Sequence, residues 1–138
     1  MKELTLSIIK PDAVGAGHAG ELLSILEQAG FRIRGMRMVQ LTRAQAEGFY
    51  AVHRGKAFFG GLVEFMTEGP VIVLALERED AIVKLREVMG STDPAKAAAG
   101  TIRQRFGTSI QHNAIHGSDA PATAAFELGY FFRTMDLV

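Results

Sequence analysis

The run Val71-Ile72-Val73-Leu74-Ala75-Leu76 constrains the fold more than any other segment of the chain. It is apolar without alternation and rich in β-branched residues, which suits a strand buried on both faces. It is too short to span a bilayer, and Gly69-Pro70 turn the chain into it. A strand of this kind has to sit inside a layered domain, with partners on each side of it.

The flanking patterns supply those partners. Leu4, Leu6 and Ile8 alternate with Thr5 and Ser7, predicting a strand closed by Lys10-Pro11-Asp12 and followed by a glycine-bearing loop. Leu22, Leu23, Leu26 and Ala29 recur at helical spacing, with Gly30 as the stop. Phe31 and Ile33 alternate in one phase and Met36 and Met38 in the other, so a strand with a bulge at Gly35 reconciles them. Helical pieces are expected over 42–50 and 58–66. Ile82, Leu85, Val88 and Met89 mark an amphipathic helix ended by Gly90. A loop holding Thr92-Asp93-Pro94, a short helix over 101–106, a last strand over 110–115 and a last helix over 121–128 complete the order. That order fits an α+β, ferredoxin-like sandwich: a four-stranded antiparallel sheet with helices on one face.

With 138 residues, 48% hydrophobic and 22% charged, the expectation is one domain, 1–138, with a full core. Lys plus Arg and Asp plus Glu both number 15, so no net charge attracts a polyanion. Dedicated nucleic-acid binding is therefore not expected. The absence of cysteine excludes disulfides and thiolate metal sites and suits a reducing compartment. Met1-Lys2-Glu3-Leu4-Thr5 lacks the apolar core of a secretory signal, so neither a membrane nor export is expected, and the default is cytoplasmic.

Two patterns invite a misreading. Gly15-Ala16-Gly17-His18-Ala19-Gly20 matches a dinucleotide fingerprint. It starts five residues beyond the strand, however, and the next strand ends Val39-Gln40-Leu41, without the carboxylate a ribose needs. A phosphate loop is also excluded, because Glu21 and Leu22 stand where Lys and Ser or Thr are required. His112 and His116 share the spacing of a helical metal pair, but Asn113 follows His112 and the local pattern is not helical.

His116 has a more telling setting. It follows a strand pattern and precedes Gly117-Ser118-Asp119, a turn in which Ser118 or Asp119 can cap a helix. Backbone N–H groups at a helix start favour an arriving phosphate, and a neutral imidazole is a competent nucleophile. On setting alone, a satisfied polar turn histidine is the better account of the residue. Lys10, His53, Arg86, Thr92, Arg103 and Asn113 are likewise explained singly as solvated or loop residues. Strand parity adds a demand: Asn113 and His116 point to opposite faces unless the chain leaves extended geometry between them.

The segment Asn113-Ala114-Ile115-His116-Gly117-Ser118-Asp119 resembles the active-site signature of the nucleoside diphosphate kinases. The resemblance runs nearly end to end. It takes in Ile9-Lys10-Pro11-Asp12, Phe49-Tyr50-Ala51-Val52-His53, Phe58-Phe59, Gly69-Pro70-Val71, Met89-Gly90-Ser91-Thr92-Asp93-Pro94 and Gly100-Thr101-Ile102-Arg103. It implies a ping-pong phosphotransferase in which His116 takes the γ-phosphoryl of a nucleoside triphosphate, typically ATP, and passes it to a nucleoside diphosphate.

By the same resemblance, Arg86, Thr92 and Arg103 bind phosphates with His53 nearby, and Lys10 and Asn113 bond the ribose hydroxyls. Phe58 stacks on the base, while Tyr50, Ser118 and Glu127 stand behind the nucleophile, the last two orienting its imidazole. Mg²⁺ is implied as a passenger on the nucleotide phosphates, with no dedicated protein ligands. A homo-oligomer is implied too, with dimer, tetramer and hexamer all open. The chain departs from the family pattern at Ala57, where proline is common, and at Asp93, where asparagine is frequent. A catalytically silent nucleotide-binding or interaction module of the same fold is the alternative reading.

Overall fold

Strand β3 (Val71–Glu79) lies between β1 (Lys2–Ile9) and β2 (Arg32–Val39), antiparallel to both. The computed structural model describes residues 2–138. A short fourth strand, β4 (Ile115–Gly117), pairs antiparallel with the other edge of β1, giving the sheet order β2-β3-β1-β4. Consecutive strands are therefore not always neighbours, and this is the order of the ferredoxin-like sandwich expected from the sequence.

The apolar run is buried from Val71 to Leu76, and its two parities feed two cores. Ile72, Leu74 and Leu76 face helices α2 (Ala19–Gln28) and α5 (Ala81–Met89) through Leu22, Leu26, Leu85 and Met89. Val71, Val73 and Ala75 join Leu6 and Ile8 against α3 (Arg43–Phe49), α4 (Phe59–Met66) and α7 (Pro121–Phe131). Helices on one face thus describe α2 and α5. The opposite face is covered as well, because its strand residues are equally apolar and cannot be left in water.

Several local expectations are met. β2 shifts register between Ile33 and Gly35, which is the bulge that the change of phase requires. A Cβ on Gly35 would stand 3.0 Å from the Phe132 ring, so the bulge also lets the C-terminal segment close on the strand. The helix expected over 42–50 is α3, and at its start Thr42 and Gln45 form a reciprocal capping box.

Others need correction. Lys10-Pro11-Asp12 does not open a loop: Pro11 begins a short helix, α1 (Pro11–Gly15), since a proline at the first helical position is pre-set for helix. The last strand is not 110–115 but Ile115–Gly117, because the chain ahead of it bends sharply. α7 is capped neither by Ser118 nor by Asp119. It starts at Pro121, and Thr123 Oγ1 accepts the Ala120 amide at 3.0 Å. No helix among the described residues is long and apolar enough to cross a membrane.

Candidate active site

The site is built on β4, and its register with β1 decides where His116 points. His116 pairs with Ile8, so its side chain shares the face of Leu6 and Ile8, toward α7. Ser7 Oγ donates to the His116 carbonyl at 2.8 Å and fixes the strand from the other side. Glu127, on α7, places Oε1 2.8 Å from His116 Nε2 and receives the Ser118 hydroxyl on the same oxygen at 2.7 Å. The rings of Phe49 and Tyr50 stand edge-on to the imidazole, with centroids 5.6 and 6.4 Å away. The histidine side chain keeps 20% of its surface open, enough for one edge to meet a ligand.

The turn demanded by strand parity is present. Ile115 N donates to Asn113 O at 2.9 Å across Ala114, whose φ is +73°. A hydrogen bond between residues i and i+2 with a positive central φ marks a γ-turn of the rare, strained kind. Both polar backbone groups of Ala114 are held by the start of α1. Its amide donates to Asp12 Oδ2 at 3.0 Å, and its carbonyl accepts the Lys10 amide at 2.9 Å. Beyond the turn, Lys10 Nζ donates to Asn113 Oδ1 at 2.8 Å, and Asn113 Nδ2 donates to the Thr92 carbonyl at 3.0 Å. Residues separated by about a hundred positions are thereby joined in one network.

Positive charge gathers beside it. Arg103, on α6 (Ile102–Phe106), is only 5% exposed and donates to Ile115 O at 2.8 Å and Gly90 O at 3.2 Å. Its buried Nε has no partner among the described residues. Arg86, on the cleft side of α5, reaches Gly117 O at 3.4 Å. Burial, and then the nearby Arg86 charge, push the Arg103 guanidinium down to about 10. Burial and then Arg103 lower the Lys10 ammonium to about 8, against a partial rise from Asp12. Like charges held this close leave an unbalanced field that an anion would relieve. Burial, and then Glu127, raise the pKa of Tyr50, so its hydroxyl stays a neutral donor; that oxygen has no partner among the described residues.

These groups line one cleft of about 510 Å³. Of the expected site residues, the cleft brings together Lys10, Tyr50, His53, Phe58, Arg86 and Thr92 with Arg103, Asn113, His116 and Glu127. Ser118 is buried behind the cleft and acts on it through Glu127. His53 leans on Phe58 with ring centroids 5.2 Å apart, and Lys56 Nζ lies 5.8 Å from the Phe58 ring centre. The glycine pattern at 15–20 contributes nothing to the lining; it ends α1 and begins α2. His112 packs on Phe65 at 4.4 Å instead of joining His116.

Sequence reasoning missed the apolar share of the cleft. Val52, Leu62 and Ile110 line it with Phe58, and Ile110 is 61% exposed and Phe58 51%. An exposed isoleucine in a polar loop carries no periodic signal, and only the folded chain shows what it faces. Asp12 was also missed as a partner of Ala114. Among the described residues no three His, Asp or Glu side chains gather where they could hold a metal ion.

Comparison with known proteins follows the same lines. Residues 3–137 match the family described as nucleoside diphosphate kinase. A nucleoside diphosphate kinase of Sorangium cellulosum is 61% identical over 130 residues, covering 94% of this chain and 90% of that protein. One from Syntrophotalea carbinolica is 57% identical over 136 residues, covering 99% of each. The crystal structure of the Aquifex aeolicus nucleoside diphosphate kinase superposes with a TM-score of 0.98 at 44% identity, covering 100% of both chains. A halophilic nucleoside diphosphate kinase from Halobacterium salinarum, solved in complex with CDP, superposes with a TM-score of 0.96 at 38% identity, covering 100% of this chain and 92% of that one.

Proposed function

The chain belongs to the nucleoside diphosphate kinase family and transfers the terminal phosphoryl group of a nucleoside triphosphate to a nucleoside diphosphate, and we propose that His116 carries that group between the two. The observation that carries this reading is the contact between His116 Nε2 and Glu127 Oε1 at 2.8 Å. A carboxylate can only accept there, so the proton of the neutral imidazole sits on Nε2 and the lone pair on Nδ1. In the first half-reaction Nδ1 attacks the γ-phosphorus. The N–P bond forms, the bond to the β–γ bridging oxygen breaks, and that oxygen leaves with the electron pair on the diphosphate. Glu127 balances the positive charge that develops on the ring. In the second half-reaction a terminal oxygen of another nucleoside diphosphate attacks the same phosphorus and the N–P bond breaks, restoring the imidazole.

The remaining lining divides by chemistry. Arg86 and Arg103 meet the spread charge of the transferring group, with Thr92 and His53 beside them. Lys10 and Asn113, already joined at 2.8 Å, bond the ribose hydroxyls, and Lys10 extends to the phosphates. Phe58 stacks on the base, with Ile110 and Val52 completing an apolar rim. Base stacking is indifferent to base identity, which suits an enzyme serving several nucleotides.

A relative in complex with CDP supports nucleoside diphosphates as ligands of this cleft. Its donor set is dominated by cations, so Mg²⁺ fits as an ion held by the nucleotide phosphates, where it would neutralise part of their charge. The chain is read as one domain acting in the cytoplasm as a homo-oligomer, without membrane or dedicated nucleic-acid partners. Even charge, the lack of cysteine, and exposed Met36 and Met38 on the edge strand β2 support that reading.

Incubation with γ-labelled ATP and no acceptor tests the mechanism. An acid-labile, alkali-stable phosphoryl group on the wild type, absent from His116→Ala, is the expected result. No labelling would leave the silent nucleotide-binding or interaction module as the better account, and equal labelling of both proteins would remove His116 as the carrier.

A further inference from the structure

We propose that Asp12 is a positioning residue for the phosphoryl transfer: by accepting the amide of Ala114 it holds the strained turn that brings Asn113 and His116 to one nucleotide. The inference rests on His116 as the nucleophile and adds a residue that touches neither substrate nor imidazole.

Ala114 is wholly buried and carries φ +73°, a conformation that its Cβ opposes and that glycine would adopt freely. The turn's own hydrogen bond, from Ile115 N to Asn113 O, leaves the Ala114 amide outside the turn, where it needs an acceptor. Asp12 Oδ2 is that acceptor at 3.0 Å, and the Lys10 amide closes on the Ala114 carbonyl from the same short segment. The start of α1 thus grips both polar groups of the residue whose conformation turns Asn113 toward the face of His116. The other Asp12 oxygen is buried and has no partner among the described residues, so the carboxylate is committed to this contact.

Released from Asp12, Ala114 is free to relax toward negative φ. That rotation moves Asn113 away from Lys10 Nζ and tilts β4 at its first residue, next to His116. A displacement near 1 Å at a reacting group can cost on the order of 100-fold in rate. Nucleotide affinity is spread over Arg86, Phe58 and Thr92 as well, and responds less. Asn at position 12 keeps a carbonyl oxygen for the amide, whereas Ala does not. Gly at position 114 removes the strain and with it most of the need for a clip.

The experiment measures the rate of His116 phosphorylation at saturating γ-labelled ATP, and nucleotide affinity separately, in each variant. Asp12→Ala should slow phosphorylation about 10- to 100-fold while changing affinity by less than about 5-fold. Asp12→Asn should recover most of the rate, and so should Asp12→Ala combined with Ala114→Gly. An unchanged rate in Asp12→Ala overturns the inference, as does Asp12→Asn failing as badly as Ala. A loss in affinity that matches the loss in rate also counts against it. If Asp12→Ala does not fold, Asp12→Asn and the double variant decide, since both should work and failure of both refutes the clip. A wild type without label on His116 removes the underlying reading itself, an outcome distinct from a labelled wild type with an indifferent Asp12.

Discussion

Glu127 occupies the Nε2 edge of His116 at 2.8 Å, and this single contact leaves Nδ1 as the nitrogen for the phosphoryl transfer we propose. The same oxygen takes the Ser118 hydroxyl at 2.7 Å, so the carboxylate is itself held in place. Replacing Glu127 by Gln should slow phosphohistidine formation by about 10- to 100-fold, because the amide can present either a donor or an acceptor and balances no charge. Nucleotide affinity should change little. Rapid-quench labelling at saturating ATP reads the effect, and an unaltered rate would remove Glu127 from the mechanism.

Lys10 gives the site a pH dependence of known sign. Its ammonium titrates near 8 in the fold because of burial and then Arg103, against 10.5 ordinarily. The affinity of the free enzyme for nucleoside diphosphate should therefore fall as pH rises through about 8, where the charge is lost. In Lys10→Gln the fall should be absent. Stability runs the other way. Between about 8 and 10.5 the unfolded chain keeps the proton and the folded chain has lost it, so stability rises with pH across that window. The burden, on the order of 3 kcal/mol, is fully present below it. Calorimetric titration and urea melts over this range check both halves.

Phe58 should matter for holding the nucleotide and little for the transfer itself. Phe58→Ala removes a stacking surface worth roughly 1–3 kcal/mol, so nucleotide affinity should weaken about 5- to 150-fold. The transfer rate at saturation should hold within a few-fold. A large loss at saturation with intact affinity would contradict the stacking role.

Gly90 ends α5 at φ +88°, and its carbonyl receives Arg103. A Cβ there would stand 2.5 Å from Thr101 Oγ1 and 2.7 Å from Thr101 Cβ, at the cap of α6. Gly90→Ala should cost about 1–3 kcal/mol in a urea melt and weaken phosphate binding through a displaced Arg103. Unchanged stability would mean that the α5–α6 joint is looser than its geometry implies.

The fold was legible where residues signal through their neighbours. The unbroken apolar run of β3, the helical spacing in α2 and α5, and the phase change at Gly35 are all local patterns, and all hold. Pro11 misled because a proline closes a strand and opens a helix with equal right. β4 was misplaced because its limits are set by the turn at Ala114, whose conformation depends on partners a hundred residues away. The site divides in the same way. Spacing placed Asn113 and His116 in one segment, but nothing local joins Lys10 to Asn113, and the family resemblance supplied that link. Ile110 lay beyond both kinds of signal, and Val52 stood in a matched run without a role assigned to it.

β4 pairs with β1 with His116 opposite Ile8, and the hydrogen bond from Ser7 Oγ to the His116 carbonyl spans 109 positions. In folding-kinetic terms this is the most entropically distant closure in the sheet, and it belongs late in the order of events. During synthesis β1 emerges well before β4 and α7, so the imidazole meets its carboxylate on the sheet only after α7 has been made. On the proposed mechanism, phosphoryl acceptance is thus coupled to completion of the fold: a nascent or locally opened chain exposes a histidine, but not a nucleophile.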